Sequence, residues 1–467
     1  MNKKEIAIDI YRRIRTKQLN DVLGRMPDNK QGVEFTHNGV TYTAFIRRLT
    51  PEECDKLQGI PDWYDWSGIS ESQHYKLDGN GWQCDTIKHC WSFLPKFDRP
   101  IRVWSLFDGM SCASIVLKEL NIDVECFISS EIDSHAIKVE KHNFPNMIQV
   151  GSVTDINVSE LVKKYGAPDF LCGGSPCQSF SFSGKMKGMS TAQGEEIYTL
   201  NRYLELKSQG FEFEGQSYLF WEYIRILTEL RNYNTNIYFF LENVEMLEKW
   251  ERCLSHAIGV RGVHINSALV SAQNRKRIYW SNIKVKDLGN TSLFDFSEDP
   301  FELPRYQTDI PQPNERGIFI KDILQENADD KYYLKDDTVS SLIQKTDKSK
   351  LKDYLLEPQV SIDEALEYMN SNSEYSSLTD NEKQEIAEFG YELEKRGLII
   401  ITTERNIMRT NQNRLVGMAY SKPLKNWCWY LKCPCITTGL AHYYSQKQLY
   451  PMVIEIYEKS SGIDTRS

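Results

Sequence analysis

A chain of 467 residues with a net charge of −9 has room for two or three domains and no global attraction to nucleic acid, so any such surface must be a local basic patch. No apolar run of roughly 18 residues occurs, which excludes a membrane-spanning helix. Eleven cysteines scattered without a repeating frame point to reduced thiols in a cytosolic protein rather than to a disulfide framework.

The opening stretch, MNKKEIAIDIYRRIRTKQLN, has charges throughout and reads as an amphipathic helix, not a secretory signal. GVEFTHNGVTYTAFIRRLT alternates apolar and polar residues around Asn38-Gly39, which predicts a hairpin. A short helix follows, with Thr50 as its cap, Pro51 in its first turn and Gly59 at its end. A second helix is expected over WQCDTIKHCWSFL, and PKFDRP reads as a linker.

From Ile101 strand-like runs alternate with helices: IRVWSLF, VECFISSE, PDFLCGG, NIYFFLENV and HINSALVSA, with SYLFWEYIRILTEL as a helix among them. This predicts an α/β fold with a doubly wound, mostly parallel sheet, whose ligands sit beyond the carboxyl ends of the strands. After about residue 283 the alternation fades into a polar, helix-rich part and then a basic, aromatic stretch, RNIMRTNQNRLVGMAYSKPLKNWCWYLK. The expected organisation is residues 1–94 completing the α/β domain, 95–284 forming its body, and 285–467 a smaller second domain.

Four places in the α/β part carry chemistry. In FLCGGSPCQSFSFSGK, Gly173-Gly174 permit a sharp turn after a strand and Pro176 stiffens it, so Cys177 is held at the rim of the sheet. Packing alone does not ask for such a turn, which favours a reactive thiolate over a structural cysteine. FFLENV places Glu242 after an apolar run, where burial suits a carboxyl to sharing a proton near neutrality. QNRKR places Arg275 and Arg277 on one face of an extended segment, suited to a carbonyl or phosphate partner. Finally, the small turn of SLFDGMSCAS lies beside the strand ending in Glu131, an arrangement that can hold an adenosine ribose.

These segments together resemble the C5-cytosine DNA methyltransferase family: the FDG turn, GGSPCQSFS, FFLENV and QNRKR occur in its order over roughly residues 101–283. RRLTPEECDKLQGIPD and YKLDGNGWQCDTI resemble the family's last two motifs, yet here they precede the others, so the sequence resembles a circular permutation. The resemblance implies Cys177 as nucleophile, Glu242 at N3 of the base, Arg275 at its O2 and Arg277 close by. It implies S-adenosyl-L-methionine as cofactor, held by Phe107, Asp108, Gly109, Glu131, Ile132, Ser152, Pro176 and Leu219, with Asn80 and Gly81 closing the pocket. Ser152 stands where relatives carry an aspartate, so it offers only a neutral hydrogen bond.

The implied partner is double-stranded DNA, with the target base flipped from the stack. Ser179, Ser181 and Lys185 are expected on a lid over it, Gln273 near it, and Arg414, Lys422, Lys425, Thr437 and Thr438 in a carboxyl-terminal target-recognition domain. The implied setting is the cytoplasm of a prokaryotic or phage-infected cell, with a cognate restriction endonuclease as a potential companion. An RNA methyltransferase of the same fold and a non-catalytic DNA-binding regulator are the rival readings. No metal is expected: Cys428, Cys433 and Cys435 with His442 have poor ligand spacing, and Cys84, His89 and Cys90 lie on an expected helix where packing suffices.

Overall fold

The computed structural model describes residues 3, 6–11, 13–14, 32–37, 40–176, 189–289, 303–325, 328–344, 360–395, 414–421, 426–430, 433–434 and 452–459. The chain divides into two units, Pro51–Ile323 with Pro434–Leu449, and Met1–Thr50 with Leu324–Cys433 and Tyr450–Ser467. The division therefore falls at Thr50 and Ile323 rather than at residues 94 and 284. Among the described residues no helix is long and apolar enough to cross a membrane.

The larger unit opens with three short helices, α1 (Pro51–Gln58), α2 (Glu71–Asn80) and α3 (Cys84–Trp91). Helix α1 starts at its proline and stops at Gly59, whose φ of +68° suits a residue without Cβ. Helix α2, not foreseen in the sequence, is capped by Ser70, and α3 by Gln83, whose side chain accepts from the Thr86 amide.

The alternating part follows: β1 (Ile101–Leu106), α4 (Cys112–Glu119), β2 (Val124–Ser130), α5 (Ser134–Asn143), β3 (Ile148–Gln149), α6 (Val158–Tyr165), β4 (Phe170–Gly174), α7 (Leu200–Ser208), α8 (Phe220–Arg231), β5 (Tyr238–Val244), α9 (Glu248–Ile258), β6 (Val263–Asn266) and β7 (Lys276–Ser281). These strands form one seven-stranded sheet in the order β3-β2-β1-β4-β5-β7-β6. The first five are parallel, and β7 runs antiparallel to both neighbours. The chain winds outward from β1 to β3, then returns to place β4 on the other side of β1. The crevice between β1 and β4 is thus the topological switch point, where ligands bind in such sheets.

The central strands β1, β4 and β5 read as nearly continuous apolar runs because both faces are covered. Trp104, Leu171, Phe239, Leu241, Ile278 and Trp280 face one core with residues of α7, α8 and α9. Val103, Phe170, Cys172, Phe240 and Tyr279 face the other, with Cys84, Ile87, Cys90 and Trp91 of α3 and Ile115 and Val116 of α4. The alternation is the two-residue period of a strand. It also explains Cys84 and Cys90: they pack.

In the smaller unit, strands Val33–His37 and Val40–Arg48 pair antiparallel with His37 opposite Val40, the expected hairpin register. They share a five-stranded antiparallel sheet with Met452–Lys459, Arg414–Ser421 and Asn426–Tyr430. Strand Met452–Lys459 lies along Thr41–Arg48, from Met452 opposite Arg48 to Lys459 opposite Thr41. Apart from this sheet, Ala7, Ile10, Tyr11 and Ile14 pack with Val360, Ala365, Met369, Tyr375, Ile386 and Ala387. The amphipathic amino-terminal segment and the helices Ile362–Ser371 and Asp380–Lys395 thus bury one another.

Candidate active site

The turn after β1 is built from unusual backbone. Phe107, Gly109 and Ser111 all have φ near +60°, a region that costs non-glycine residues of order 1–3 kcal/mol each. The surroundings hold it in place: the Asp108 amide donates to the Ser130 carbonyl at 3.2 Å, and the Gly109 amide donates to Glu131 Oε2 at 2.8 Å. Glu131 Oε1 accepts from the amides of Ile132 and Asp133 at 2.7 and 2.8 Å. A Cβ on Gly109 would meet nothing within 4 Å, and Ile132 is 68% exposed. Open space therefore lies beside a carboxylate, a bare backbone and an apolar side chain.

Beneath this turn lies a buried acidic layer. Asp108 accepts from the Ser105 hydroxyl, and burial pushes its carboxyl up to about 7, opposed by the Ser105 and Ser111 hydroxyls and reinforced by the Glu131 charge. Glu140, on α5, is fully buried, and burial with the nearby Asp108 pushes it up to about 8. Gln149 bridges this layer to Glu131, accepting from the Glu131 amide and donating to Glu140 Oε2. Sequence reasoning missed both Glu140 and Gln149, because a polar residue on a helix or an edge strand looks like any solvated one.

The remaining expected cofactor residues occupy these positions. Gly81 follows α2, and a Cβ there would touch Cys112 Sγ and Met110 Sδ at 3.4 and 3.5 Å, which puts it against the turn after β1. Asn80, beside it, is exposed. Lys76 of α2 pairs with Asp133 at 2.6 Å, a second tie to the Glu131 loop. Ser152 spends its hydroxyl on its own turn, accepting from the Thr154 amide at 3.3 Å, while Asp155 is exposed and does not replace it. Leu219 precedes α8 and packs against the core, and Pro176 is half-buried at the end of the described part of its loop.

On the other side of the switch point, Glu242 in β5 is 9% exposed and forms an ion pair with Arg277 Nε at 2.8 Å. The two are diagonal cross-strand neighbours, since Arg277 lies opposite Val244 and Tyr279 opposite Glu242. Gly174 passes directly below: a Cβ there would sit 2.7 Å from Trp82 Nε1 and 3.2 Å from Glu242 Oε2. The Asn243 amide donates to the Ser175 hydroxyl at 3.0 Å and to its carbonyl at 3.2 Å. That second residue of the LEN run thus anchors the loop leading to Cys177, a role the spacing did not reveal.

The two arginines diverge. Arg275, expected at the base, is buried and donates from Nη2 to the Gly81 carbonyl at 2.7 Å, while Arg277 is the one at Glu242. Gln273, expected near DNA, is fully buried. Cys177, Ser179, Ser181, Lys185, Lys422, Lys425, Thr437 and Thr438 lie outside the described residues, as do Cys435 and His442. Arg414 opens its strand opposite Ile456 in the smaller unit.

A family model described as C-5 cytosine-specific DNA methylase matches residues 2–92 and 101–260. Among curated relatives, the orphan methyltransferase M.SPRI of Bacillus phage SPR is 29% identical over 303 residues, 59% of this chain and 62% of its own. The DNA (cytosine-5)-methyltransferase DRM2 of Arabidopsis thaliana is 29% identical over 194 residues, 39% of this chain and 28% of its own. The solved Dnmt2 methyltransferase of S. pombe is 16% identical, with 53% of this chain and 67% of that chain covered at a TM-score of 0.32. The chain thus spans less than two thirds of the length of the curated relatives named.

Proposed function

The chain belongs to the C-5 cytosine-specific DNA methylase family, and from that premise we propose that it transfers a methyl group from S-adenosylmethionine to C5 of a cytosine in double-stranded DNA. One observation carries the reading. Beyond one end of one sheet, the Glu131 carboxylate with the Gly109 turn stands on one side, the Glu242–Arg277 pair stands on the other, and the Gly174–Ser175 loop runs on to Cys177.

The residues fit the cofactor. Glu131 Oε2 accepts one backbone bond, from Gly109, and retains a lone pair for a ribose hydroxyl, while the amides of Ile132 and Asp133 occupy Oε1 and fix the carboxylate's orientation. The left-handed Gly109 leaves space for close backbone approach, exposed Ile132 can cover an adenine ring, and the Asn80–Gly81 turn closes against Met110 and Cys112. Bound there, S-adenosylmethionine supplies an electrophilic methyl group on a sulfonium.

The chain's own residues do the rest. The Cys177 thiolate adds to C6 of a cytosine flipped from the stack, while Glu242 holds the proton at N3, so electron density collects at C5. After methylation, loss of the C5 proton returns a pair to the C5–C6 bond and expels the thiolate. O2 lies next to N3 on the ring, so Arg277, paired with Glu242, takes the O2 contact. Arg275 instead secures Gly81 and so holds the cofactor side. Lid contacts to DNA are assigned to Ser179, Ser181 and Lys185. Target reading is assigned to Arg414, Lys422, Lys425, Thr437 and Thr438. The order of motifs, with α3 packed beside β1 and α4, supports a circularly permuted arrangement. A modification enzyme of a prokaryotic or phage-infected cell, against which a cognate restriction endonuclease would act, is the matching biological role.

The test is a duplex carrying 5-fluorocytosine, incubated with the full chain and S-adenosylmethionine. A covalent adduct mapped by mass spectrometry to Cys177 is expected. No adduct, attachment elsewhere, or turnover on RNA but not on DNA would overturn the proposal.

A further inference from the structure

We propose that Glu140 is a positioning residue for the cofactor carboxylate of Glu131, acting through the side-chain amide of Gln149 and not by touching the cofactor. The inference rests on the reading of Glu131 as the ribose ligand and adds residues to which that reading gives no role.

The argument starts at Gln149. Its Oε1 accepts from the amides of Glu131 at 3.1 Å and Gly151 at 2.9 Å. Backbone amides only donate, so the orientation of the side-chain amide is fixed by them. Its Nε2 must then find acceptors on the opposite side, and it finds Ser129 Oγ and Glu140 Oε2, both at 3.2 Å. Pairing of Ser129 with Gln149 in the parallel β2–β3 ladder sets the distance between these groups. Glu140 therefore ends a chain of bonds that runs Glu140, Gln149, Glu131 backbone, and the Glu131 side chain continues it to the Gly109 amide.

Glu140 does this as an acceptor and not as a charge. It is fully buried, its Oε1 has no hydrogen-bond partner, and the groups facing it are Asp108, Glu131, Ser129, Gln149 and the Tyr64 phenol. None of these is a cation. Burial and Asp108 push its carboxyl up to about 8, so near neutrality it is a neutral acid whose Oε2 accepts from Gln149. The requirement is a hydrogen-bond acceptor at that point, which a glutamine supplies and a leucine does not.

Calorimetric titration of S-adenosylmethionine into the full chain tests this. Glu140→Leu and Gln149→Leu are each expected to weaken binding about tenfold, the scale of one unmade hydrogen bond. Glu140→Gln is expected to stay within about twofold of wild type. The double Leu variant is expected to bind no worse than either single one, because the two residues act in one chain. A purely structural role would weaken Glu140→Gln and Glu140→Leu in proportion to their loss of thermal stability, so the rescue by glutamine is the deciding readout. Wild-type binding by Glu140→Leu, or a Glu140→Gln as weak as Glu140→Leu, would overturn the inference. Should Glu140→Leu fail to fold, the partly exposed Gln149→Leu carries the same test alone, and its wild-type binding would be equally fatal. Absence of binding by the wild-type chain, by contrast, would strike the cofactor reading itself.

Discussion

Glu242 and Glu140 are both glutamates withdrawn from water on opposite sides of the same switch point, yet their surroundings differ in sign. Glu242 faces the Arg277 guanidinium at 2.8 Å, whereas Glu140 faces Asp108 and Glu131. Burial and the neighbouring carboxyls push Glu140 up to about 8, so it keeps its proton near neutrality, whereas Glu242 is held in place by a guanidinium. The two halves of the crevice are thus prepared for different work. On the proposed function, the base side would offer a fixed ion pair to a ring that changes its charge, and the cofactor side neutral acceptors that fix the half-buried Glu131 carboxylate.

That contrast can be broken by substitution. The largest effects belong to the base side: Cys177→Ala is expected to reduce methyl transfer to background in a tritium-transfer assay with cofactor affinity retained. Glu242→Gln is expected to cost roughly 10²–10⁴-fold in turnover. Retained turnover in either variant would end the covalent scheme. Next comes Arg277→Ala, which leaves Glu242 a buried charge without its partner and should destabilise the unit by roughly 3–5 kcal/mol in urea unfolding. The double variant Arg277→Ala, Glu242→Gln should recover much of that loss, and no recovery would mean the pair is not a unit.

The pH dependence sharpens the comparison on the cofactor side. Glu140 has an ordinary carboxyl value of 4.5 when unfolded and about 8 when folded. Below pH 4.5 both states hold the proton, so the stability difference between wild type and Glu140→Gln is constant there. As pH rises toward 8 the unfolded chain releases the proton and the folded chain does not, so wild type loses stability relative to Glu140→Gln by up to a few kcal/mol. Above about 8 the gap stays level. Thermal melts of the two proteins between pH 4 and 9 would show the gap opening, and a gap flat across that range would remove the neutral acid.

The smallest effect is expected at Ser152, whose hydroxyl is already committed to Thr154. Ser152→Ala should weaken cofactor binding far less than Glu131→Ala, for which roughly 1–3 kcal/mol is expected from lost charge-assisted bonds. Equal effects in calorimetry would misplace the pocket.

Much of this arrangement was legible in the residues because it is local. The hairpin at Asn38-Gly39, the helix from Pro51 to Gly59 and the alternation from Ile101 each follow from spacing and turn chemistry within a few residues. The meeting of Glu131 with the turn after β1 was legible too, because strand ends in a parallel sheet collect on one side. What could not be read was pairing across long stretches of sequence. Nothing near Arg275 or Arg277 tells which reaches Glu242, since both share a face and only the register of β5 with β7 decides it. Nothing near Val40–Arg48 announces that its sheet partner is Met452–Lys459, so the division at residue 94 was misplaced. Glu140 and Gln149 stayed hidden for a related reason: burial of a polar side chain is a property of its neighbours, not of its own segment.

That long-range ladder has a consequence for how the molecule is made. On the ribosome, residues 40–48 emerge some four hundred residues before the strand that lies along them. The intervening body, Pro51–Ile323, completes its seven-stranded sheet from its own residues and is free to condense first. The smaller unit must wait with one rim of its hairpin uncovered, the kind of slow, non-local closure that sets the pace of assembly and invites mispairing between nascent copies.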